Sequence, residues 1–243
     1  MNGIITPVRT PASAGRSDWR GAFTALRRLL ADADDTTQAF KLMRALNAGS
    51  TRKGFARLLT TAEGGRIAYR RVELAEQFSD PAFISRFAPD TVGGAYAAFL
   101  GRTGYSAKGL AAISRVDDPA RDAEHPIAWY GRRMRDTHDI WHLLTGYRAD
   151  APMGEACLAA FTYGQTRGPG WALLTLGVAA KAMRSPLRWK ALRSLWEGYR
   201  HGRAAAWLPG EDYERLLDEP LADARRRLGI ATPEAYLSLD AIL

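Results

Sequence analysis

The sequence predicts an all-α fold, a single compact multi-helix domain, and three features carry that prediction. Ala, Leu and Arg dominate while β-branched residues are sparse, a composition that favours helix. No alternating apolar run is long enough to prefer a strand. With 243 residues, 47% of them apolar and 25% charged, the chain can build one core. No internal repeat and no low-complexity tract points to a solenoid.

Residues 1–16 lack acidic groups and carry Arg9 and Arg16 among Ser, Thr, Pro and Gly. They are expected to form a flexible tail that only faintly shares the composition of an organellar transit segment, ahead of one domain over 17–243. Ser17 is placed to cap a helix from Asp18 to Ala31, with Trp19, Phe23, Leu26 and Leu30 on one stripe. A second helix follows from Thr36 to Leu46, closed near Gly49. Residues 50–89 are mixed, with short helical patterns at Ala56–Ala62 and Arg71–Gln77 separated by Gly64-Gly65 and Asp80-Pro81. Asp90 is read as the cap of Thr91–Leu100, ended by Gly101, and Ser106 as the cap of a helix to Val116.

The loop Asp117 to Pro126 leads into a central helix, Ile127–Leu144, stopped by Gly146. Pro152 opens the next helix, to Tyr163, and the stretch from Gly164 to Gly170 breaks the chain. Helices at Trp171–Met183, Pro186–Arg203, Asp212–Leu217 and Leu221–Leu228 complete the reading.

Cys157 is the single cysteine, which excludes an intramolecular disulfide framework and a cysteine-rich zinc site and suits a reducing compartment. Any metal must use His and carboxylates. Of the four histidines, His138 and His142 fall within five residues of each other. On a helical wheel with His138 at zero, His142 lies near about 40° and Asp139 near about 100°, so the three share one side. Histidines at i and i+4 can share one ion. Asp139 adds an oxygen, and Glu155, in the first turns of the following helix, is the fourth candidate, favoured there by the helix dipole. Ala128, Gly131 and Gly146 on the same wheel leave room for a substrate, and Arg135, one turn earlier, suits a carboxylate or phosphate. Spacing alone leaves an equal alternative, two ordinary structural histidines with Asp139 orienting one of them. The pattern lacks the Glu of the zinc-protease motif, and no Glu-x-x-His supports a ferritin-like di-iron site.

These residues resemble the ubiquinone (coenzyme Q) biosynthesis protein four family, whose signature is His-Asp-x-x-His followed by Gly-Glu. Here it reads His138-Asp139-Ile140-Trp141-His142 and Gly154-Glu155, with twelve residues between His142 and Glu155 where the family more usually has eleven. The likeness extends to Pro89-Asp90-Thr91-Val92-Gly93-Gly94-Ala95-Tyr96, similar to the family's Pro-x-Gly-Thr-Leu-Gly-x-Ala-Tyr, to the basic run Arg132 to Arg135, and to the closing segment from Pro220 to Ile230. The resemblance implies an all-helical fold, a zinc ion held by His138, Asp139, His142 and Glu155, and a polyprenylated ring precursor as ligand. It also implies oxidative decarboxylation at ring carbon one of a polyprenyl-hydroxybenzoate, or a non-catalytic lipid-binding scaffold organising the other ubiquinone-biosynthesis enzymes at the membrane. The enzyme reading takes the four ligands with Arg135 as its catalytic set. Two His with two carboxylates also suit iron or manganese.

A net charge of +8 calls for an anionic partner. No helix-turn-helix, RNA-binding sheet or zinc-finger spacing is present, so nucleic acid is not expected. No apolar run reaches the length of a membrane span. In the segment Pro186–Arg203 the stripe Trp189, Leu192, Leu195, Trp196 and Tyr199 lies among Arg188, Lys190, Arg193, Arg200 and Arg203, with Glu197 the sole acid. Such a helix either packs its stripe into the core or lies on an anionic membrane surface. The apolar helix from Trp171 is read as buried core or as the wall of a prenyl tunnel. The expected location is cytoplasmic and peripherally membrane-associated, with a homodimer compatible with the sequence.

Overall fold

The computed structural model describes residues 17–33, 35–115 and 124–243, so the expected tail 1–16 and most of the loop before Pro126 lie outside the described residues. Among the described residues there are sixteen α-helices and no strand, only an isolated bridge between Thr91 and Pro220. The all-α single domain is thus what folds.

Helices α1 (Trp19–Ala31) and α2 (Thr36–Leu46) pair around Ala22, Leu26, Leu42 and Met43. The cap of α1 is Asp18 rather than Ser17, its Oδ1 accepting from the Gly21 N–H at 2.9 Å. Four short helices follow where two were expected: α3 (Ala48–Leu58), α4 (Ala62–Arg70), α5 (Leu74–Gln77) and α6 (Pro81–Ser85). Gly64-Gly65 does not break the chain but lies inside α4, where the Gly64 backbone presses on the Leu58 carbonyl. Helix α7 (Val92–Thr103) is capped by Thr91 rather than Asp90. It runs through Gly101 and stops at Gly104, which takes the left-handed conformation that ends helices. Ser106 caps α8 (Ala107–Arg115) as expected.

The central helix is in two pieces, α9 (Pro126–Asp136) and α10 (His138–Thr145), divided at Thr137. The Thr137 hydroxyl turns back toward the Met134 carbonyl, a contact that bends helices. Gly146, at φ 79°, ends α10, and Pro152 opens α11 (Pro152–Thr166). Arg225 of α15 (Leu221–Arg227) closes the exposed end of α10, donating from Nε to the Leu144 carbonyl at 3.0 Å and from Nη2 to that of Leu143 at 2.7 Å. The main core gathers Tyr96, Trp141, Tyr147, Phe161, Tyr213 and Tyr236 around α10 and α11. Tyr213 and Tyr236 come from α14 (Tyr213–Leu216) and α16 (Glu234–Asp240), the latter a helix the sequence pattern did not reveal.

Helices α12 (Pro169–Ala182) and α13 (Arg188–Ala204) form the outer side. A continuous core helix was one expectation for α12, yet Gly170 is its one buried residue, because one flank faces a cavity and the other the exterior. In α13 the expected stripe is split. Ala191, Ser194, Leu195, Gly198 and Gly202 face inward, while Trp189 and Trp196 stand 67% and 60% exposed. Core packing therefore does not explain the tryptophans. Against α11 the contact is backbone on backbone: a Cβ on Gly202 would sit 2.1 Å from the Phe161 carbonyl oxygen, and one on Gly198 2.7 Å from that of Cys157.

Candidate metal centre

His138, Asp139 and His142 all project from α10, and Glu155 from the first turn of α11, so the tight connection through Gly146 determines where the carboxylate meets the imidazoles. The two rings lie 4.9 Å apart and nearly perpendicular. His142 Nδ1 is 2.8 Å from the Tyr147 carbonyl oxygen. A carbonyl can only accept, so Nδ1 carries a proton and Nε2 is the nitrogen turned toward Glu155. That Nε2 is buried, has no hydrogen-bond partner, and stands 3.2 Å from Glu155 Oε1. His138 Nε2 lies 3.8 Å from Glu155 Oε2. Donor atoms of His138, His142 and Glu155 fall within 4.8 Å of one another.

Asp139 is not part of that triangle. Its carboxylate is turned to the far nitrogen of His138, 3.5 Å from Nδ1, where it can orient the ring as an outer partner. Arg135 is buried beside the site and already engaged, with Nε donating to Asp136 at 2.6 Å and Nη1 to the Ser114 hydroxyl at 2.7 Å. Asp136 also accepts from the Ala75 N–H, and burial pushes its carboxyl up despite the Arg135 guanidinium.

Enclosure lowers the basicity of His138, but the Asp139 and Glu155 carboxylates outweigh it and hold the imidazole above its ordinary value. For Glu155 enclosure pushes the carboxyl up, and His142 first, then His138, pull it below the usual carboxylate range. The Glu155 side chain is 46% accessible, yet the space it meets is a cavity. It feels confinement and remains reachable by a ligand.

That cavity has a volume of ≈ 2010 Å³. Ala128, Gly131, Arg135, His138, Asp139 and Glu155 line one part of it, and Leu29, Leu30, Leu174 and Val178 an apolar stretch. The small residues Ala128 and Gly131 open space there as expected, whereas Gly146 serves only as the stop of α10. Two imidazoles and a carboxylate, one imidazole nitrogen left without a partner, are a donor set that fits a divalent ion. Three donors, two of them in the wall of a cavity, match the open form of such a site rather than the closed four-ligand form. The pattern of residues missed the Tyr147 carbonyl, which has no side-chain signature, and the Asp136 and Ser114 partners of Arg135, of which only the Arg135-Asp136 adjacency gave any signal.

Comparison with known proteins bears on this arrangement. The sequence profile described as coenzyme Q (ubiquinone) biosynthesis protein Coq4 matches residues 39–234. The mitochondrial ubiquinone biosynthesis protein coq4 of Pyrenophora tritici-repentis is 30% identical over 182 residues, covering 73% of this chain and 58% of that protein. Its counterpart from Podospora anserina is 25% identical over 176 residues, covering 72% and 56%. The chain thus spans somewhat over half the length of these relatives. A crystal structure from Nostoc punctiforme, of a protein described as acting in ubiquinone biosynthesis, superposes with a TM-score of 0.63 at 22% identity over 89% of this chain and 100% of that one. At that identity the likeness concerns the fold.

Proposed function

The chain belongs to the coenzyme Q (ubiquinone) biosynthesis protein Coq4 family, and from that premise we propose that it is a metal-dependent carboxy-lyase. Its reaction is oxidative decarboxylation at ring carbon one of a polyprenyl-hydroxybenzoate. The observation that carries the reading is the convergence of His138, His142 and Glu155 at one large, partly apolar cavity, with His138 and Glu155 in its wall and His142 buried just behind them. The polar end suits a ring bearing a carboxylate, and the apolar stretch along α12 suits a prenyl chain.

His138, His142 and Glu155 hold the ion, zinc or else iron or manganese, and Asp139 fixes the His138 ring from behind. When bound, the ion would supply Lewis acidity toward the ring carboxylate or phenolate; carbon dioxide leaves the ring carbon, a hydroxyl takes its place, and dioxygen as a second reactant accepts the two electrons. Arg135 is held still by Asp136 and Ser114, so its charge is presented to the substrate carboxylate from a fixed place. Burial of that guanidinium in the cavity wall keeps water from screening it.

The test is elemental analysis of the purified protein beside His142→Ala, followed by carbon dioxide release from a polyprenyl-hydroxybenzoate. Stoichiometric metal and product, both lost in the variant, are expected. Metal without turnover would make the protein a lipid-presenting scaffold for the other ubiquinone-biosynthesis enzymes, and absence of metal would remove the centre itself.

A further inference from the structure

Helix α12 is apolar from Trp171 to Ala180 and buries no large side chain. Trp171, Leu174 and Val178 face the cavity, and Leu176 is 66% exposed on the other side. It is a partition one helix thick between the cavity and the exterior. Isolated apolar residues on a surface need no explanation, but here they join. A shallow groove of ≈ 220 Å³ runs between Trp19, Tyr163, Leu173 and Leu176. Tyr163 stacks on Tyr199 with ring centroids 5.7 Å apart, and Tyr199 meets Trp196 at 5.4 Å. Trp189, two turns before Trp196, continues the ribbon along α13.

The same face is strongly basic. From Pro169 to Ala204 there are seven Lys or Arg and one carboxylate, Glu197. Glu197 accepts from the Ala235 and Tyr236 N–H groups and so is spent on α16. Arg184, Arg188, Lys190 and Arg193 are exposed, and among the described residues none of the four pairs with an acid. A symmetric contact between two copies would bring this basic surface against itself, which like charges oppose. A bilayer offers the complement at each depth, anions at the headgroups and, below them, the apolar layer whose boundary suits tryptophan and tyrosine.

We propose that the outer face of α12 and α13, with Trp19 of α1, docks on the headgroup layer of an anionic membrane. Docked this way, α12 alone separates the acyl chains from the cavity. At its end, Lys181 donates to the Leu30 carbonyl at 2.6 Å and ties α12 to α1 beside the cavity lining. The docking stands on surface residues; only the passage of a prenyl chain past α12 rests on the function proposed above.

The experiment is flotation of the full chain with phosphatidylcholine vesicles with and without phosphatidylglycerol, beside Trp189→Ala/Trp196→Ala and Arg188→Glu/Lys190→Glu/Arg193→Glu. Binding should require the anionic lipid, and losing three cations should weaken it on the order of a hundredfold. Helical circular dichroism and metal content should stay unchanged in both variants. Failure to bind either vesicle, or binding by the variants equal to the parent, would overturn the proposal. So would a dimer in sedimentation that the tryptophan variant dissociates, since the face would then be a contact between copies. Metal content and turnover of a short-chain analogue without vesicles report separately on the proposed function, so the two can fail independently.

Discussion

Trp129 and Trp141 sit in one kind of environment, Trp189 and Trp196 in another. The first two are buried, and each indole N–H has an acceptor, the Val72 carbonyl at 3.1 Å and the Tyr213 hydroxyl at 2.5 Å. The other two are more than half exposed on a basic helix. Around α10 and α11, polar groups are taken out of water only with a partner assigned, as in Arg135 with Asp136 and Ser114. On α12 and α13, by contrast, Leu176, Trp189 and Trp196 stand more than half exposed. The inner region holds a site in place, and the outer one presents the aromatic and basic face for which membrane docking is proposed above.

That contrast is sharpest in stability. Trp141→Ala should cost about 3–5 kcal/mol, from the cavity created and the loss of a donor to Tyr213, lowering the thermal midpoint by roughly 10 °C. A midpoint within a degree of the parent would show that the inner network is not what holds the fold. Next in size is Asp139→Asn, which should weaken metal binding by about 10- to 100-fold, measured by competition with a chromophoric chelator. Loss of all binding would place Asp139 among the ligands themselves. Arg225→Ala frees the Leu143 and Leu144 carbonyls and should lower stability by about 1 kcal/mol in urea titration. No change would mean that water replaces the guanidinium at no cost. Smallest is Trp196→Ala, expected within about 0.5 kcal/mol of the parent by the same titration. A loss like that of Trp141→Ala would erase the distinction between the two regions.

Sequence periodicity was enough to read α1, α8 and the hairpin that joins the ligand helices, because each has a cap or a stop whose mechanism is local; α2 has the expected bounds, but no side chain caps it and Gly49, read as its stop, lies inside α3. The stretch 50–89 was less legible. Gly64 looks like a breaker, but it stays helical because its missing Cβ lets α4 approach Leu58, a tertiary fact. The division at Thr137 and the short α16 also depend on packing rather than pattern. Within the site, the i, i+4 spacing of His138 and His142 and the return of Glu155 were visible. Asp139 was harder, since a residue about 100° round the helix can face either the ion or the back of its neighbour's ring. In α13 the apolar spacing was read correctly as a stripe, but periodicity cannot say that Leu195 turns inward and Trp196 outward.

The glycine contacts between α11 and α13 have a kinetic consequence. Gly202 lies against Phe161, Gly198 against Cys157, and Gly164 against the Tyr199 and Gly202 backbones, so neither helix can loosen without the other losing its seat. The two should therefore exchange their amide protons as one cooperative unit, with the same opening free energy along both. Glu155 sits near one end of that unit and Trp196 on its outer edge, so an event at that outer edge is coupled to the carboxylate through one packed pair of helices.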